Sequence, residues 1–256
     1  MEVRCGDLLF ILDAGTGLRR LGDALLNRGE PITAHLLFSH VHWDHVQGLP
    51  FFAPIYRPDT TLHLYGAPED GTLESVLGTQ MRAPHFPVGF DQAPAAMHFH
   101  SPTVGDRFRV GDVSIATAAL NHPNGVLAFR LECRGRSVVY ATDTEHYADG
   151  AIDSQLVGLA RGADILIYDA QYTPDEYCGA VGIPRLGWGH STWEEGVRVA
   201  RAAGVSKLVL FHHEPSHDDA TVAAIEAEAA AELPGTVAAR EGMTIALASQ
   251  TAARAA

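Results

Sequence analysis

Seven residues of one short segment hold most of the chemistry that this sequence offers. Ser39-His40-Val41-His42-Trp43-Asp44-His45 reads H-x-H-x-D-H and places three imidazoles and a carboxylate within six positions. Such a nitrogen and oxygen donor set suits zinc, manganese or iron. A loop at a strand end can turn His40 and His42 toward one point and Asp44 and His45 toward a second. Further donors follow downstream, each just after a segment that reads as a strand: His122 in Asn-His-Pro, Asp143 in Ala-Thr-Asp-Thr, and the pair His212-His213. Strand alternation turns only one of that pair inward and leaves open which. His190 lies in Gly-Trp-Gly-His-Ser-Thr, ahead of a helical pattern whose N-terminus favours an anion. Asp169 follows another strand and could orient His190 by a hydrogen bond.

The elements that must position these groups are legible as alternating patterns. Leu8 to Leu12, Ala34 to Phe38, Thr61 to Tyr65, Val113 to Ala118, Val126 to Cys133, Ser137 to Ala141, Ile165 to Tyr168, Lys207 to Phe211 and Met243 to Ala248 read as strands. Arg134-Gly135 predicts a tight hairpin. Leu18, Leu21, Leu25 and Leu26 share a helical face that Gly29 ends. Ile152 to Arg161, Thr192 to Ala203 and Ala220 to Glu232 read as helices, with a capping box expected from Thr192 and Glu195. Meandering strands in both halves, with helices between, predict two sheets covered by outer helices, an α/β (α+β) architecture. With no linker-like stretch or repeat, residues 1–256 read as a single domain.

Bulk properties narrow the partners. A hydrophobic fraction of 46% over 256 residues supports a sizeable core, and no apolar run is long enough to span a membrane. The formal net charge of −13 argues against a grip on long nucleic acid, which needs a basic surface. It does not exclude a small anionic substrate, because bound cations reverse the field of a carboxylate-lined site. Three widely spaced cysteines suggest no disulfide framework and fit a reducing, cytoplasmic setting. A homodimer stays open. Among the remaining histidines, His98 and His100 alternate along a strand-like segment. His35, His63, His146 and His217 show no evident partner, and His85 could line a pocket entrance. Trp43, Phe51, Phe52 and Trp188 could stack on a base, although packing at the rim is the simpler reading.

Taken together, His40, His42, Asp44, His45, His122, Asp143 and His212 resemble the metal site of the metallo-β-lactamase superfamily, and Leu12-Asp13-Ala14-Gly15 resembles its early D-x-G turn. The likeness runs from Asp13 to about His213 and implies a four-layer αββα sandwich. It further implies two divalent ions, zinc foremost and manganese or iron as alternatives. His40, His42 and His122 would hold the first, Asp44, His45 and His212 the second, with Asp143 bridging and Asp13 supporting the ligand loop. The implied chemistry is hydrolysis by a hydroxide shared between the ions, aided by His190 with Asp44 and Asp169. The run His-Ser-Thr before a helix resembles the ribonuclease Z and small phosphodiesterase branch, which implies a small or cyclic phosphodiester as substrate. Aspartate rather than cysteine at position 143 argues against a β-lactamase. A thioesterase or lactonase, a tRNA-processing nuclease, and a non-catalytic metal-binding scaffold or sensor are the alternatives. The family commonly begins with a strand and a glycine-rich loop ahead of the segment that opens this chain, so either the start is misassigned or one edge of the sheet is shortened.

Overall fold

The structure, a computed structural model, describes residues 1–248. Two compact units divide it, Met1–Thr103 and Val104 onward.

The first unit carries a five-stranded sheet in the order β1(Glu2–Cys5), β2(Leu8–Leu12), β3(Ile32–Leu37), β4(Thr60–Tyr65), β5(Ala96–His100). β1 runs antiparallel to β2, and the other neighbours are parallel. β1 occupies the sheet edge that the sequence had suggested was shortened, turning at Gly6 with a left-handed φ of 58°. Leu9, Ile11, Leu36, Leu62 and Leu64 form the core of this unit with Leu18 and Leu25 of α1(Leu18–Leu26). The ligand segment follows β3 and opens a single-turn helix, α2(Trp43–Val46); α3(Leu73–Thr79) comes after β4.

The opposite face of this sheet bears a ladder of rings. The strand register aligns Phe10, His35, His63 and His98, and the rings stack with centroids 5.3, 4.8 and 4.9 Å apart. His35 Nδ1 lies 3.3 Å from the Tyr65 hydroxyl, and His63 Nδ1 lies 3.2 Å from His100 Nε2. Histidines that showed no evident partner in the sequence thus meet across strands, which periodicity within one strand cannot reveal.

The second unit carries β6(Arg107–Val110), β7(Val113–Leu120), β8(Val126–Cys133), β9(Arg136–Ala141), β10(Ile165–Asp169), β11(Leu208–Phe211) and β12(Val237–Ala238), with neighbours in that order. β6 to β9 form an antiparallel meander, and β9 to β12 are parallel. The hairpin at Arg134 and Gly135 has both residues at positive φ, 51° and 74°, as a two-residue turn with the sheet's twist requires. Helices α4(Ser154–Ala160), α5(Pro174–Cys178), α6(Trp193–Ala203) and α7(Asp219–Glu232) complete the unit. Leu156, Val197, Ala200, Ile225 and Ala229 from three of them pack into one core with Leu166, Leu208 and Leu210.

Three expectations are corrected. Met243 to Ala248 forms no strand; a turn at Arg240–Met243 leaves that segment exposed or half-buried, and Val237–Ala238 pairs with β11 instead. Thr192 is the N-cap of α6 but makes no side-chain capping bond, and the Glu195 carboxylate that would complete the box turns to Arg198, 2.5 Å away. Cys5 and Cys133 are each disulfide-bonded, and among the described residues Cys178 carries a free thiol. Among the described residues no helix is long and apolar enough to cross a membrane.

The ring ladder generates a pH prediction. Burial, and then the charges of His63 and His100, push His35 from 6.5 down to about 4. A histidine with a depressed folded pKa stays neutral in the native state while the unfolded chain takes up the proton. Its stabilising contribution is therefore complete above about pH 6.5 and is lost as pH falls toward 4, by at most about 3 kcal/mol. Urea midpoints measured from pH 7 to pH 4.5 should fall less steeply for His35→Phe than for the parent chain. Equal acid slopes would contradict the assignment.

Candidate metal centre

The candidate ligands sit where strands end, and parallel register brings their loops to the same edge of each sheet. In the first unit Leu12 pairs with Leu37, so Asp13 and the segment from Ser39 leave adjacent strands side by side. In the second, Ala141 pairs with Tyr168 and Asp169 with Phe211, so Asp143, Asp169 and His212 follow three neighbouring strands. Loops at the carboxyl ends of parallel strands are the usual place for a binding site. Asp13, Asp143 and His212 share a rarer feature: each has a left-handed backbone, with φ of 58°, 56° and 58°. Such a conformation costs a residue with a side chain about 1–3 kcal/mol and persists where surrounding contacts enforce it.

Asp13 organises the first unit's ligands. Its Oδ1 accepts from the Ser39 backbone N–H at 2.7 Å, and its Oδ2 accepts from the Ser39 hydroxyl at 2.7 Å and from His45 Nδ1 at 2.9 Å. Because the Ser39 hydroxyl gives its proton to Asp13, its oxygen is left to accept from His40 Nδ1, 3.0 Å away. Both imidazoles therefore carry their proton on Nδ1 and have their lone pair on Nε2, the form that binds a cation. Burial alone would raise the Asp13 carboxyl, but the charge and hydrogen bond of His45, the charge of His40 and the Ser39 N–H hold it below the ordinary value. His40, His42 and His45 cluster, with ring centroids 4.4 and 4.3 Å from that of His40, and His45 Nε2 lies 3.1 Å from Asp44 Oδ2.

Glycines let the Asp13 turn approach the ligand loop backbone to backbone. Ala14 N–H donates to the His45 carbonyl at 2.7 Å, and Gly48 N–H to the Ala14 carbonyl at 2.8 Å. A Cβ on Gly15 would stand 2.5 Å from the Asp44 carbonyl oxygen, and one on Gly48 only 2.0 Å from that of Gly15. The D-x-G pattern thus has a steric reason.

In the second unit Asp143 is central. Its Oδ2 lies 4.0 Å from His122 Nε2, and its Oδ1 lies 3.6 Å from His212 Nε2. His212 rather than His213 turns to the carboxylate. His190 stacks on His212 with centroids 5.1 Å apart, and its Nδ1 is 2.9 Å from Asp169 Oδ2. Asp169, fully buried, also accepts from the backbone N–H groups of Thr144 and Gln171 at 3.1 and 3.0 Å. Asp143, Asp169, His190 and His212 each offer one donor atom within 4.8 Å of the others, a set able to hold a cation. Nitrogen and oxygen donors on largely buried side chains are the chemistry that a divalent ion requires.

Two positioning residues have no signal in the sequence. His122 Nδ1 donates to the Gly189 carbonyl at 2.7 Å, which directs its Nε2 toward Asp143. Gly189 has φ of 86°, and a Cβ there would come within 2.3 Å of His122 Nδ1. Glu145 in turn fixes that loop, accepting from the N–H groups of Gly187 and Gly189 at 2.7 and 2.8 Å and from the Tyr177 hydroxyl at 2.6 Å. Its partners lie 32 to 44 residues away in the chain, so no local motif announces it. His146 and His217 also gain partners, Ser191 Oγ at 3.2 Å and Glu176 Oε1 at 2.9 Å, and stand apart from the ligand sets.

A family profile described as a β-lactamase superfamily domain matches residues 9–213. The chain belongs to the metallo-β-lactamase superfamily. Its two mixed sheets with flanking helices are the metallo-β-lactamase fold. An uncharacterised protein of Mycobacterium leprae (strain TN), ML1173, is 32% identical, with 89% of this chain and 74% of the relative covered. Ribonuclease Z of Synechococcus sp. (strain WH7803) is 29% identical, with 84% and 80% covered. Among solved structures, the metallo-β-lactamase fold protein YhfI from Bacillus subtilis superposes with a TM-score of 0.69 at 20% identity, covering 94% of this chain and 89% of that one. The His/Asp clusters of this superfamily member are consistent with a metal site.

The role of Asp13 is open to direct measurement. Asp13→Ala removes the acceptor of the His45 proton and the carboxylate that orients the Ser39 hydroxyl toward His40, while leaving every candidate ligand in place. Competition with a chromophoric chelator should show zinc affinity lowered about 10- to 100-fold. Parental affinity in the variant would exclude Asp13 as the element that orients His40 and His45.

Proposed function

We propose that the chain is a dinuclear metal-dependent hydrolase acting on small or cyclic phosphodiesters. Following the superfamily resemblance, His40, His42 and His122 hold one divalent cation, Asp44, His45 and His212 the other, and Asp143 is shared. When bound, divalent cations lower the pKa of water toward neutrality and offset charge on phosphoryl oxygens. Zinc fits the imidazole-rich donors, and manganese and iron are the alternatives.

The observation that carries the catalytic reading is the His190–Asp169 pair. Asp169, held by two backbone N–H groups, accepts from His190 Nδ1 at 2.9 Å. This carboxylate fixes the ring and turns Nε2 outward. A proton carried on Nε2 can reach the leaving oxygen of a diester and be passed to it.

Support for phosphodiesters also comes from the ribonuclease Z relative, at 29% identity over most of both chains. The net charge of −13 favours a small diester over a long RNA. Because Asp143, Asp169, His190 and His212 also form a donor set among themselves, His190 as a further metal ligand is the second reading.

One assay series separates the readings. Bis(p-nitrophenyl) phosphate, cyclic nucleotides, a thioester and a lactam, each with zinc and with manganese, should give turnover on the diesters foremost. Preference for the thioester or lactam would overturn the phosphodiester assignment. His190→Ala should lower kcat about 100-fold or more, in the range of a lost general acid, with metal content unchanged. Loss of metal together with activity would make His190 a ligand instead.

A further inference from the structure

Arg185, in the loop between α5 and His190, carries a charge that nothing in the fold answers. Among the described residues no carboxylate pairs with it and its side chain donates no hydrogen bond; Nε is shielded from solvent and still has no acceptor. Elsewhere in the same unit Arg130, Arg136 and Arg198 each meet a carboxylate. In a chain with 31 acidic residues against 18 lysines and arginines, an arginine left without one is set apart. A desolvated donor with no acceptor is costly, and more so when it is charged.

The side chain is nevertheless held in place. Its guanidinium carbon lies 4.5 Å from the ring centre of Trp188 and 5.5 Å from that of Tyr172. Such contacts engage the flat face of a guanidinium and leave its N–H edge for another partner. The backbone is fixed as well. Arg185 N–H donates to the Tyr177 carbonyl at 3.0 Å, and Trp188 N–H returns to the Arg185 carbonyl at 3.0 Å. Gly187, the third residue of that turn, has φ of 83°, as a type II turn requires.

This turn leads into the centre described above. One residue after Trp188, the Gly189 carbonyl takes the His122 proton, and His190 follows. Tyr172, against which Arg185 rests, meets the His190 ring edge to face with centroids 6.0 Å apart. Arg185 therefore shares a rigid turn and a ring neighbour with the proposed proton donor.

We propose that Arg185 is a substrate contact, its N–H edge holding phosphoryl oxygen of the diester whose leaving group meets His190. The inference rests on the phosphodiester reading and adds a specificity-determining residue to it. A guanidinium offers two parallel donors that match two phosphoryl oxygens, and such charge-assisted bonds are the strong ones. A guanidinium already steadied by rings loses little freedom when the anion arrives.

Binding tests this separately from turnover. Isothermal titration of the zinc-loaded protein, freed of excess zinc, with inorganic phosphate gives a dissociation constant that Arg185→Gln should raise about tenfold or more, the size of a lost hydrogen bond to a charged group. Arg185→Lys keeps a cation without the planar fork and should fall between the two. Arg107→Gln removes an exposed arginine elsewhere in the same unit and should leave the constant unchanged, which separates a contact from a loss of net charge. Trp188→Ala, at a position 49% exposed, removes one steadying ring and should weaken binding about threefold, so the proposal stays testable if Arg185→Gln does not fold. Phosphate bound equally by the parent and the Arg185 and Trp188 variants, or an equal loss in Arg107→Gln, would overturn the inference. Arg185-dependent phosphate binding by a protein that turns over no diester would keep the contact and refute the phosphodiester reading instead.

Discussion

An imidazole can give its lone pair to a cation only from the nitrogen that carries no proton, so something must hold the proton on the other one. In this chain Nδ1 is engaged in each case where the partner is defined. His45 gives its proton to Asp13, His40 to Ser39, which passes the demand on to Asp13, and His122 to the Gly189 carbonyl. His190 is held in the same way by Asp169. Nε2 of His40, His45 and His122 is left with its lone pair outward, and Nε2 of His190 is turned outward as well. The acceptors are themselves anchored: Asp13 by the Ser39 N–H, Asp169 by two backbone N–H groups, and the Gly189 loop by Glu145. Much of what surrounds the ligand sets is built to fix proton positions.

Backbone geometry serves the same end at a cost in stability. Asp13, Asp143 and His212 all leave their strands in the left-handed region, which aspartate and histidine enter more often than most residues with a side chain. Parallel register between β2 and β3, and among β9, β10 and β11, then fixes which turns stand next to one another. A one-residue slip of any of these strands would move its ligand to the wrong face. Burial of the strand side chains, such as Leu36 at 0% and Leu166 at 0% exposure, keeps the register in place.

The sequence discloses whatever is encoded locally. His40 to His45 are close enough in the chain to meet whatever the fold, and the Arg134-Gly135 turn carries its own conformational preference. Strands β8 and β11 and helix α7 follow from hydrophobic runs and caps. What stayed hidden depends on contacts between distant segments. Glu145 is one carboxylate among many until Gly187 and Gly189 arrive from more than forty residues away. His35, His63 and His98 look unrelated until parallel pairing stacks them. Thr192 and Glu195 have the right spacing for a box, but Arg198 competes for the glutamate one turn later. Val237–Ala238 is too short to show a pattern, and Met243 to Ala248 shows the pattern without a neighbouring strand to pair with.

Histidine tautomers in the metal-loaded protein report most directly on whether proton placement governs this centre. Long-range proton–nitrogen correlation spectra of the zinc-titrated, nitrogen-15-labelled chain distinguish Nδ1–H from Nε2–H rings. His40, His45 and His122 should each show a protonated Nδ1 and a zinc-induced shift at Nε2, saturating at two zinc ions per chain. Protonated Nε2 at these residues, or spectra that zinc leaves unchanged, would contradict the account.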